Sequence, residues 1–551
     1  MKGVLVLLLW VSVVDLSTQY RYDNVTVDYV PWQLTEFKIE HPRPIGVLTT
    51  TSGAPVDIRQ TNALNTEPFS NMYHLDDTTH TDVERIPERV VHAKGSGVYG
   101  YFEVTHDVSR YTSADVFNGI GKKTPFFGRF STAIQNKGGN ELAREIKGLA
   151  VKLYTKEGNL DFLTIHVPVY FYKDPIDFGP TVRSFRRNPK TNIYDSTMVW
   201  DFVTQKPVFL HLLMWQNSDY GIPYGYRRMD LFPVHAYEVT NKHGESHFVR
   251  FNFRTEQGLA NLTTAQAQAI ASQDPNFFTR DMYNAIANKN YPSWRLDMDV
   301  MTVEQAAHLD YNPFDVTRLW KKGTYHTVTI GRMVVNKNTD NQFRDMEMSA
   351  FNPANLVPGI PGPPDNLFRA RRFSYRDAHR HRLGPNHDNI EINVPIYRKT
   401  YTRDSNAPVR SNMRDAPNYY PNTFNGQEPI IDMSYPNIKI NVFDRNSVDL
   451  EPIAEFYNHI VENDAHRQRI ADTTATTLVN VDRRIVKSAL KLLSLVDQDL
   501  GHRTAVSYRA AQEIANAASK LDTKTRYEPL SRCINLFTQG RLNIPSMKKN
   551  W

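Results

Sequence analysis

The chain has 551 residues, a net charge of +6 and a single cysteine. This length exceeds what one hydrophobic core usually organises, so we expect two domains or one large domain with an appendage. The charge is too small at this length to indicate a nucleic-acid binder, and one cysteine excludes an intrachain disulfide.

Residues 1–18 are predicted to be a signal peptide. Lys2 precedes an apolar run from Val4 to Val14, which is long enough for a secretory signal and too short to span a bilayer. The acceptor sequences Asn24-Val-Thr and Asn261-Leu-Thr are compatible with the secretory route. We therefore expect a secreted, extracellular protein without a membrane span.

Residues 19–84 and 85–351 are predicted to be an N-terminal arm and a β-rich core. The first range is polar, with Pro, Thr and Asn and no strong periodicity. The second contains short runs rich in Val, Thr, Phe and Tyr, separated by turns such as KEGN and NKHGE. Many short strands with hairpin spacing are typical of an antiparallel barrel or sandwich, here interrupted by helices.

Residues 352–448 and 449–551 differ from this core and from each other. The first range is dense in Pro, Asn and Gly, and a segment of this length usually wraps a surface that is already built. In the second, Ile453, Phe456 and Ile460 recur at three- and four-residue spacing. That spacing predicts a C-terminal helical domain.

The segment RARRFSYRDAHRHRLGPN carries the most informative pattern. Arg371, Tyr375, His379 and Arg382 are spaced four, four and three apart, so a helix would present all four on one face. A guanidinium one turn from a phenol favours the phenolate form, which is a good anionic ligand for ferric iron. Taken alone, the segment also fits an amphipathic surface helix whose tyrosine packs on a core.

This segment and several others, in the same order, resemble the haem catalases. The other motifs are RIPERVVHAKGSGVYGYFEVTHD, GKKTPFFGRFST, MVWDFVTQKPVFLH, YPSW, NPFDVTRLW and APNYYPN. The resemblance runs from about Leu48 to about Phe424 and implies an α+β catalase fold. That fold has an antiparallel eight-stranded β-barrel core, an N-terminal arm, a wrapping loop and a C-terminal helical domain.

The resemblance also implies an activity, a cofactor and an assembly. The activity is dismutation of hydrogen peroxide to water and oxygen through a ferryl intermediate, and the expected assembly is a homotetramer with interlocked N-terminal arms. The cofactor is haem b, with Tyr375 as the ligand of its ferric iron, as tyrosine is in catalase.

Further site residues follow from the matching motifs. His92 is the expected acid–base catalyst, Ser131 orients its imidazole, and Val91 narrows the channel above the iron. Arg371 is expected to stabilise the phenolate. The remaining matches are Arg89, Arg129 and Arg382 for the haem propionates, His235 for the proximal hydrogen-bond network, His379 for the proximal helix face and Phe178 for the haem face.

The sequence departs from the family at position 165. The family places an asparagine three residues before the proline of this strand, and counting back from Pro168 gives Ile165. Isoleucine has no amide and cannot hydrogen-bond peroxide. The neighbouring His166 should face away, because successive strand side chains alternate, although a one-residue shift or a bulge would exchange the two.

NADPH binding is left open by the sequence. His211, Ser218 and Trp320 match contact positions of family members that bind this dinucleotide, and Arg254 keeps a positive charge. The expected arginine and two histidines are replaced, however, by Tyr220, Asn252 and Lys322.

Three functions are compatible with these patterns. The first is an active secreted catalase, with a rate that Ile165 reduces. The second is a catalase-fold haem peroxidase with weak catalatic activity that uses organic donors. The third is a non-enzymatic secreted protein that binds haem.

Overall fold

The computed structural model describes residues 27–64, 67–410, 412–432, 434–435 and 449–538, with side chains up to residue 518. The predicted signal peptide and the Asn24 acceptor sequence lie outside the described residues. Within them, no helix is both long enough and apolar enough to cross a membrane.

One eight-stranded antiparallel sheet forms the core. In spatial order the strands run β4-β3-β2-β1-β8-β7-β6-β5. Their bounds are β1 Gly95–Val104, β2 Lys123–Thr132, β3 Lys147–Thr155, β4 Gly158–Ile165, β5 Tyr237–Thr240, β6 Ser246–Thr255, β7 Ser293–Thr302 and β8 His326–Asn338. The strand number and the antiparallel pairing confirm the predicted core.

The sheet curls until its two ends meet around one hydrophobic core. Phe162 on β4 lies 5.1 Å, centroid to centroid, from Phe251 on β6 and 5.9 Å from Tyr237 on β5. Ile165 bridges to Phe232, whose neighbour in the chain bridges to β6. The core therefore fills a barrel, and alternate residues of each strand point out of it.

Helices of the same compact unit surround this barrel. Thr263 and Thr302 each begin a helix with a capping box, which satisfies backbone N–H groups that the helix leaves unpaired. The helices are Gln33–Glu40, Met72–Val83, Thr264–Ala271, Phe277–Ala287, Val303–Ala307 and Asn366–Leu383, and a short helix, Phe178–Ser184, crosses the boundary to the second unit.

A second compact unit is helical. It joins Gly179–Ser218 to the chain beyond the wrapping loop, so its limits differ from the predicted division at 351 and 448, which stays a prediction. Inside it, Trp200 donates to the Thr477 hydroxyl at 2.9 Å. Its helices are Ser196–Gln205, Leu210–Asn217, Glu451–Glu455, Asp464–Leu478, Arg483–Val496 and Gln498–Thr538.

Candidate active site

Four residues form a row across the outer face of the barrel. Gly95 pairs with Ser131, Ser131 with Gly148, and Gly148 with Ile165, each directly opposite its neighbour. Directly opposed residues of antiparallel strands point to the same face, so Ser131 and Ile165 project from the same side as the two glycines. The row, which is the floor of the site, itself contributes one hydroxyl and one branched alkyl side chain, and the side chains of Arg129 and His92 lie over its two glycines.

His92 lies over this row. Its Nδ1 is 2.9 Å from the Ser131 hydroxyl, and a Cβ added to Gly148 would come within 3.1 Å of His92 Cε1. The backbone of His92 is in the left-handed region, with φ of 60°, and its N–H donates to the Ala133 carbonyl. Such a conformation costs about 1–3 kcal/mol and persists only where surrounding contacts impose it.

The imidazole of His92 is neutral at physiological pH. Burial lowers its pKa to about 3, and repulsion from Arg129, Arg371 and Arg89 acts in the same direction. Among the hydrogen bonds of the described residues, none involves His92 Nε2. A neutral imidazole with one bound and one unbound nitrogen is suited to accept a proton.

His166 faces away from this floor, as the alternation predicts. Its Nδ1 accepts from the Lys147 N–H at 3.0 Å, and its Nε2 donates to the Tyr220 carbonyl at 3.0 Å. Burial, with repulsion from the Lys147 ammonium, lowers its pKa to about 4. Both ring nitrogens are therefore used by the backbone, and His166 does not replace the missing amide.

Tyr375 lies on the helix Asn366–Leu383, which its flanking residues define. Asp365 caps the first turn by accepting from the Phe368 N–H at 2.8 Å, and Gly384, with φ of 90°, ends the helix. Arg371, His379 and Arg382 are buried on one face, with Tyr375 partly buried between them. This is the face that the four, four and three spacing predicted.

Arg371 connects Tyr375 to a buried chain of polar groups. It donates through Nη2 to the Tyr375 oxygen at 3.0 Å and through Nη1 to His235 Nε2 at 2.7 Å. His235 in turn donates from Nδ1 to Asp365 at 2.9 Å. The guanidinium of Arg371 also lies over the ring of Tyr170, 5.5 Å from the ring centroid. The phenol of Tyr375 thus receives a charge-assisted hydrogen bond from a cation that is itself fixed by His235, although the buried Arg371 Nε has no partner in the described structure.

Arg89, Arg129 and Arg382 form a buried cluster around one carboxylate, Glu347. Arg89 lies 3.4 Å from that carboxylate and also donates to the Met346 and Ser349 carbonyls, while Arg382 donates to the Glu347 and Ser349 carbonyls. Burial lowers the pKa of Arg89 to about 10 and of Arg382 to about 9, and repulsion within the cluster contributes.

The charge of this arginine cluster tests whether haem fits. Three buried guanidinium groups share one carboxylate, Glu347, which also lies 3.4 Å from the exposed Lys137 ammonium, so at least two positive charges of the cluster are unbalanced. Buried charges are stable when they are paired, so the cluster calls for a dianion, and the two propionates of haem supply that charge. The two glycines of the row allow His92 and Arg129 to lie directly against the sheet, since an added Cβ would come within 3.1 Å of His92 Cε1 at Gly148 and 2.5 Å of Arg129 Cζ at Gly95. The residues therefore fit haem.

For the other predicted residues, the structure gives their burial or their hydrogen-bond partners. Val91 is partly buried beside His92, and Phe178 is exposed at the start of its short helix. At the dinucleotide positions, Asn252 donates to Asp299 and Arg254 to Asp230, while Trp320 donates to the Pro313 carbonyl. Lys322 is exposed, Tyr220 accepts from His166, and His211 and Ser218 are buried in the helical unit.

Four residues of the site escaped the sequence analysis. Asp365 had a signal, since an acidic residue after a proline pair and before a helix is typical of an N-cap. Glu347, Gly148 and Tyr170 had none, because their partners lie far away in the chain. The described residues also contain no cluster of three or more His, Cys, Asp or Glu side chains that could hold a metal ion.

Comparisons with known proteins agree with this geometry. The catalase family model matches residues 49–426. The catalase of Mus musculus is 39% identical over 468 residues, which cover 83% of this chain and 89% of that protein. The catalase of Drosophila melanogaster is 38% identical over 485 residues, covering 85% and 95%.

Solved structures give the same result. A fungal catalase superposes with a TM-score of 0.81 at 32% identity, covering 85% of this chain and 97% of that one. Catalase A from Saccharomyces cerevisiae superposes with a TM-score of 0.80 at 31% identity, covering 85% and 99%. The chain belongs to the catalase family.

Proposed function

We propose that this catalase decomposes hydrogen peroxide to water and oxygen with ferric haem b, which Tyr375 would ligate and for which His92 would be the acid–base partner. When bound, haem would supply an iron centre that can give two electrons to one peroxide and recover them from a second. The single observation that carries the assignment is that Arg371 donates to the Tyr375 oxygen at 3.0 Å while its charge also lowers the pKa of the buried His92.

The residues of the chain divide the remaining work. With hydrogen on Nδ1, His92 donates to the Ser131 hydroxyl, and Nε2 is left to take a proton from one peroxide oxygen and return it to the other. Arg371 holds the Tyr375 phenolate, and the 3.0 Å bond between them fixes its direction. Arg89, Arg129 and Arg382 hold the propionates.

The absorption spectrum and oxygen evolution test this assignment. The purified full chain should show a tyrosinate-ligated ferric haem band and evolve oxygen from peroxide far faster than free haem. Tyr375→Phe should lose that band, whereas Tyr397→Phe, at an exposed tyrosine, should keep it. A spectrum that Tyr375→Phe leaves unchanged would contradict the ligand, and turnover no better than free haem would contradict the activity.

Ile165 supports a second candidate, a haem peroxidase with weak catalatic activity that uses organic donors. A preorganised hydrogen-bond donor that meets developing charge is worth about 10²–10³ in rate, and this pocket lacks the amide that would supply it. Because His92 remains, that factor is an upper guide. Oxygen evolution should rise in Ile165→Asn, and a failure to rise would remove the basis of this candidate.

A homotetramer is supported by the N-terminal arm. Apolar side chains there are exposed on a single chain, which is the pattern of a surface that a second copy covers. The exposed residues include Leu34, Ile39, Ile45, Val47, Ile58 and Phe69. Light scattering on the purified protein should give four times the chain mass, and Leu34→Glu with Ile39→Glu should lower it.

Secretion is supported by Lys2 and the apolar run Val4–Val14. Expression in animal cells should place the protein in the medium, and N-terminal sequencing should begin after the predicted signal.

NADPH binding stays a prediction from the resemblance. Against it, Asn252 and Arg254 already bond to carboxylates of the chain. Equilibrium dialysis with NADPH measures it directly.

A further inference from the structure

Ile165 is held firmly beside the imidazole that handles peroxide. Its N–H donates to the Phe232 carbonyl at 3.0 Å, and the Phe232 N–H donates back at 2.8 Å. Opposite it stands Gly148, whose added Cβ would lie 3.1 Å from His92 Cε1. This double anchoring fixes the register, so the isoleucine side chain stays on the His92 face.

Few polar groups remain there for a peroxide. Within the row, Ser131 is engaged with His92 Nδ1, the two glycines have no side chain, and Ile165 has no polar atom. His166 is bound on both ring nitrogens by backbone groups on the other face. In this part of the described structure, His92 Nε2 is the side-chain atom left to accept a peroxide hydrogen.

The two classes of peroxide differ in how many hydrogens they must place. Hydrogen peroxide has two O–H groups, and an alkyl hydroperoxide has one. His92 Nε2 accepts one hydrogen, so the second hydroxyl of hydrogen peroxide lies beside Ile165 without a partner, which is unfavourable for a buried polar group. An alkyl group at the same place makes an apolar contact instead.

We propose that Ile165 is a specificity-determining residue that favours small alkyl hydroperoxides over hydrogen peroxide as the oxidising substrate, an inference that rests on the proposed haem catalase function. The O–O bond of the alkyl hydroperoxide breaks, and the molecule takes up two electrons and two protons to give an alcohol and water. Hydrogen peroxide supplies those electrons and protons and leaves as oxygen, so that ROOH and H₂O₂ become ROH, H₂O and O₂.

Stopped-flow absorption measures this preference on the haem-loaded full chain. The quantity is the ratio of the second-order rate constants for ethyl hydroperoxide and hydrogen peroxide, each mixed alone. Ile165→Asn, which restores an amide, should lower that ratio about 10- to 100-fold. Ile165→Val, which keeps the site apolar, should leave it within about threefold. Ile165→Thr adds a hydroxyl with less change of shape and should lower the ratio in the same direction.

Cyanide binding gives a readout that does not depend on turnover. Bound cyanide accepts hydrogen bonds, so Ile165→Asn should tighten its dissociation constant about tenfold, a typical contribution of one added hydrogen bond. Ile165→Val should leave the constant unchanged. An unchanged peroxide ratio or unchanged cyanide affinity in both polar variants would overturn the role of Ile165. Absence of a haem band, or of reaction with either peroxide, would instead overturn the proposed function.

Discussion

Gly148→Ala is predicted to disturb His92 through one added methyl group. The new Cβ would lie 2.8 Å from the Thr164 carbonyl oxygen, 3.1 Å from His92 Cε1 and 3.5 Å from His92 Nδ1. Carbon atoms in good contact lie about 3.5–4.0 Å apart, so the imidazole must move by about 0.5 Å or β3 and β4 must separate. Both responses act on the floor of the site.

The size of the effect follows from these contacts. Overpacking of this kind costs about 1–3 kcal/mol of unfolding free energy. A misplacement of about 1 Å can cost about 10² in rate, so half that shift predicts about a tenfold loss of kcat/KM. The loss should appear in kcat/KM per haem, because the arginine cluster and Tyr375 are untouched.

Oxygen evolution per bound haem and urea-induced unfolding measure the two effects separately. Gly138→Ala is the matched control, since no atom lies within 4 Å of a Cβ added there. Ser131→Ala removes the 2.9 Å bond to His92 without adding volume and should lower kcat/KM, with a cost of about 1–3 kcal/mol because the buried His92 Nδ1 loses its partner. A Gly148→Ala enzyme with wild-type kcat/KM would refute the contact between this floor and His92.

Three further predictions, at His166, at the Lys152–Asp161 pair and at Asp365, concern buried polar groups elsewhere in the barrel unit. Burial lowers the pKa of His166 from an ordinary 6.5 to about 4. Between pH 6.5 and pH 4 the unfolded chain therefore binds a proton at His166 that the folded chain does not. The free energy of unfolding falls by about 3 kcal/mol as the pH drops through this range. In His166→Leu the free energy of unfolding, measured by urea titration at several pH values, should depend less on pH. An unchanged pH dependence would contradict the lowered pKa of His166. Lys152→Met should cost about 3–5 kcal/mol, because it strands the buried Asp161, 2.8 Å away; an additional Asp161→Leu should recover part of it, and no recovery would refute the pairing. Asp365→Ala should cost about 2–4 kcal/mol of unfolding free energy, about 1 from the lost cap and about 1–3 from the buried His235 N–H that loses its acceptor. Asp365→Asn keeps the cap and should cost less, and equal losses would show that capping is not the cause.

The Tyr375 helix could be predicted because its information is local. The spacing of Arg371, Tyr375, His379 and Arg382 identifies one face, and Gly384-Pro385 marks the end, all within adjacent turns. The strand β7 shows the opposite case, because its sequence SWRLDMDVMT is poor in the Val, Thr, Phe and Tyr that characterise the predicted strand runs of the core. The charged residues of this strand occupy every second position and point out of the barrel. There, Asp297 and Asp299 accept hydrogen bonds from threonine hydroxyls of β8. Those partners are distant in the sequence, so the segment alone gave a weak signal.

The remaining parts of the site depend on contacts between distant segments. Glu347 meets Arg89 from 258 residues further along the chain, and no pattern near either residue announces the pair. Gly148 matters because pairing of β3 with β2 and β4 puts it between Ser131 and Ile165. Strand register, and not composition, therefore determines which side chains share the floor with His92.

Two buried histidines show how register decides chemistry in this chain. His92 and His166 both have pKa values lowered by burial, so both are neutral. Both ring nitrogens of His166 bond to backbone groups, those of Lys147 and Tyr220, and the bond to Lys147 links β3 to the end of β4. The imidazole of His92 bonds only through Nδ1, so its Nε2 has no hydrogen bond within the described residues. A shift of β4 by one residue would bring His166 to the floor and turn Ile165 inward. The reciprocal bonds between Ile165 and Phe232 oppose that shift, so the same contacts that close the barrel also keep the apolar Ile165 on the face where His92 lies.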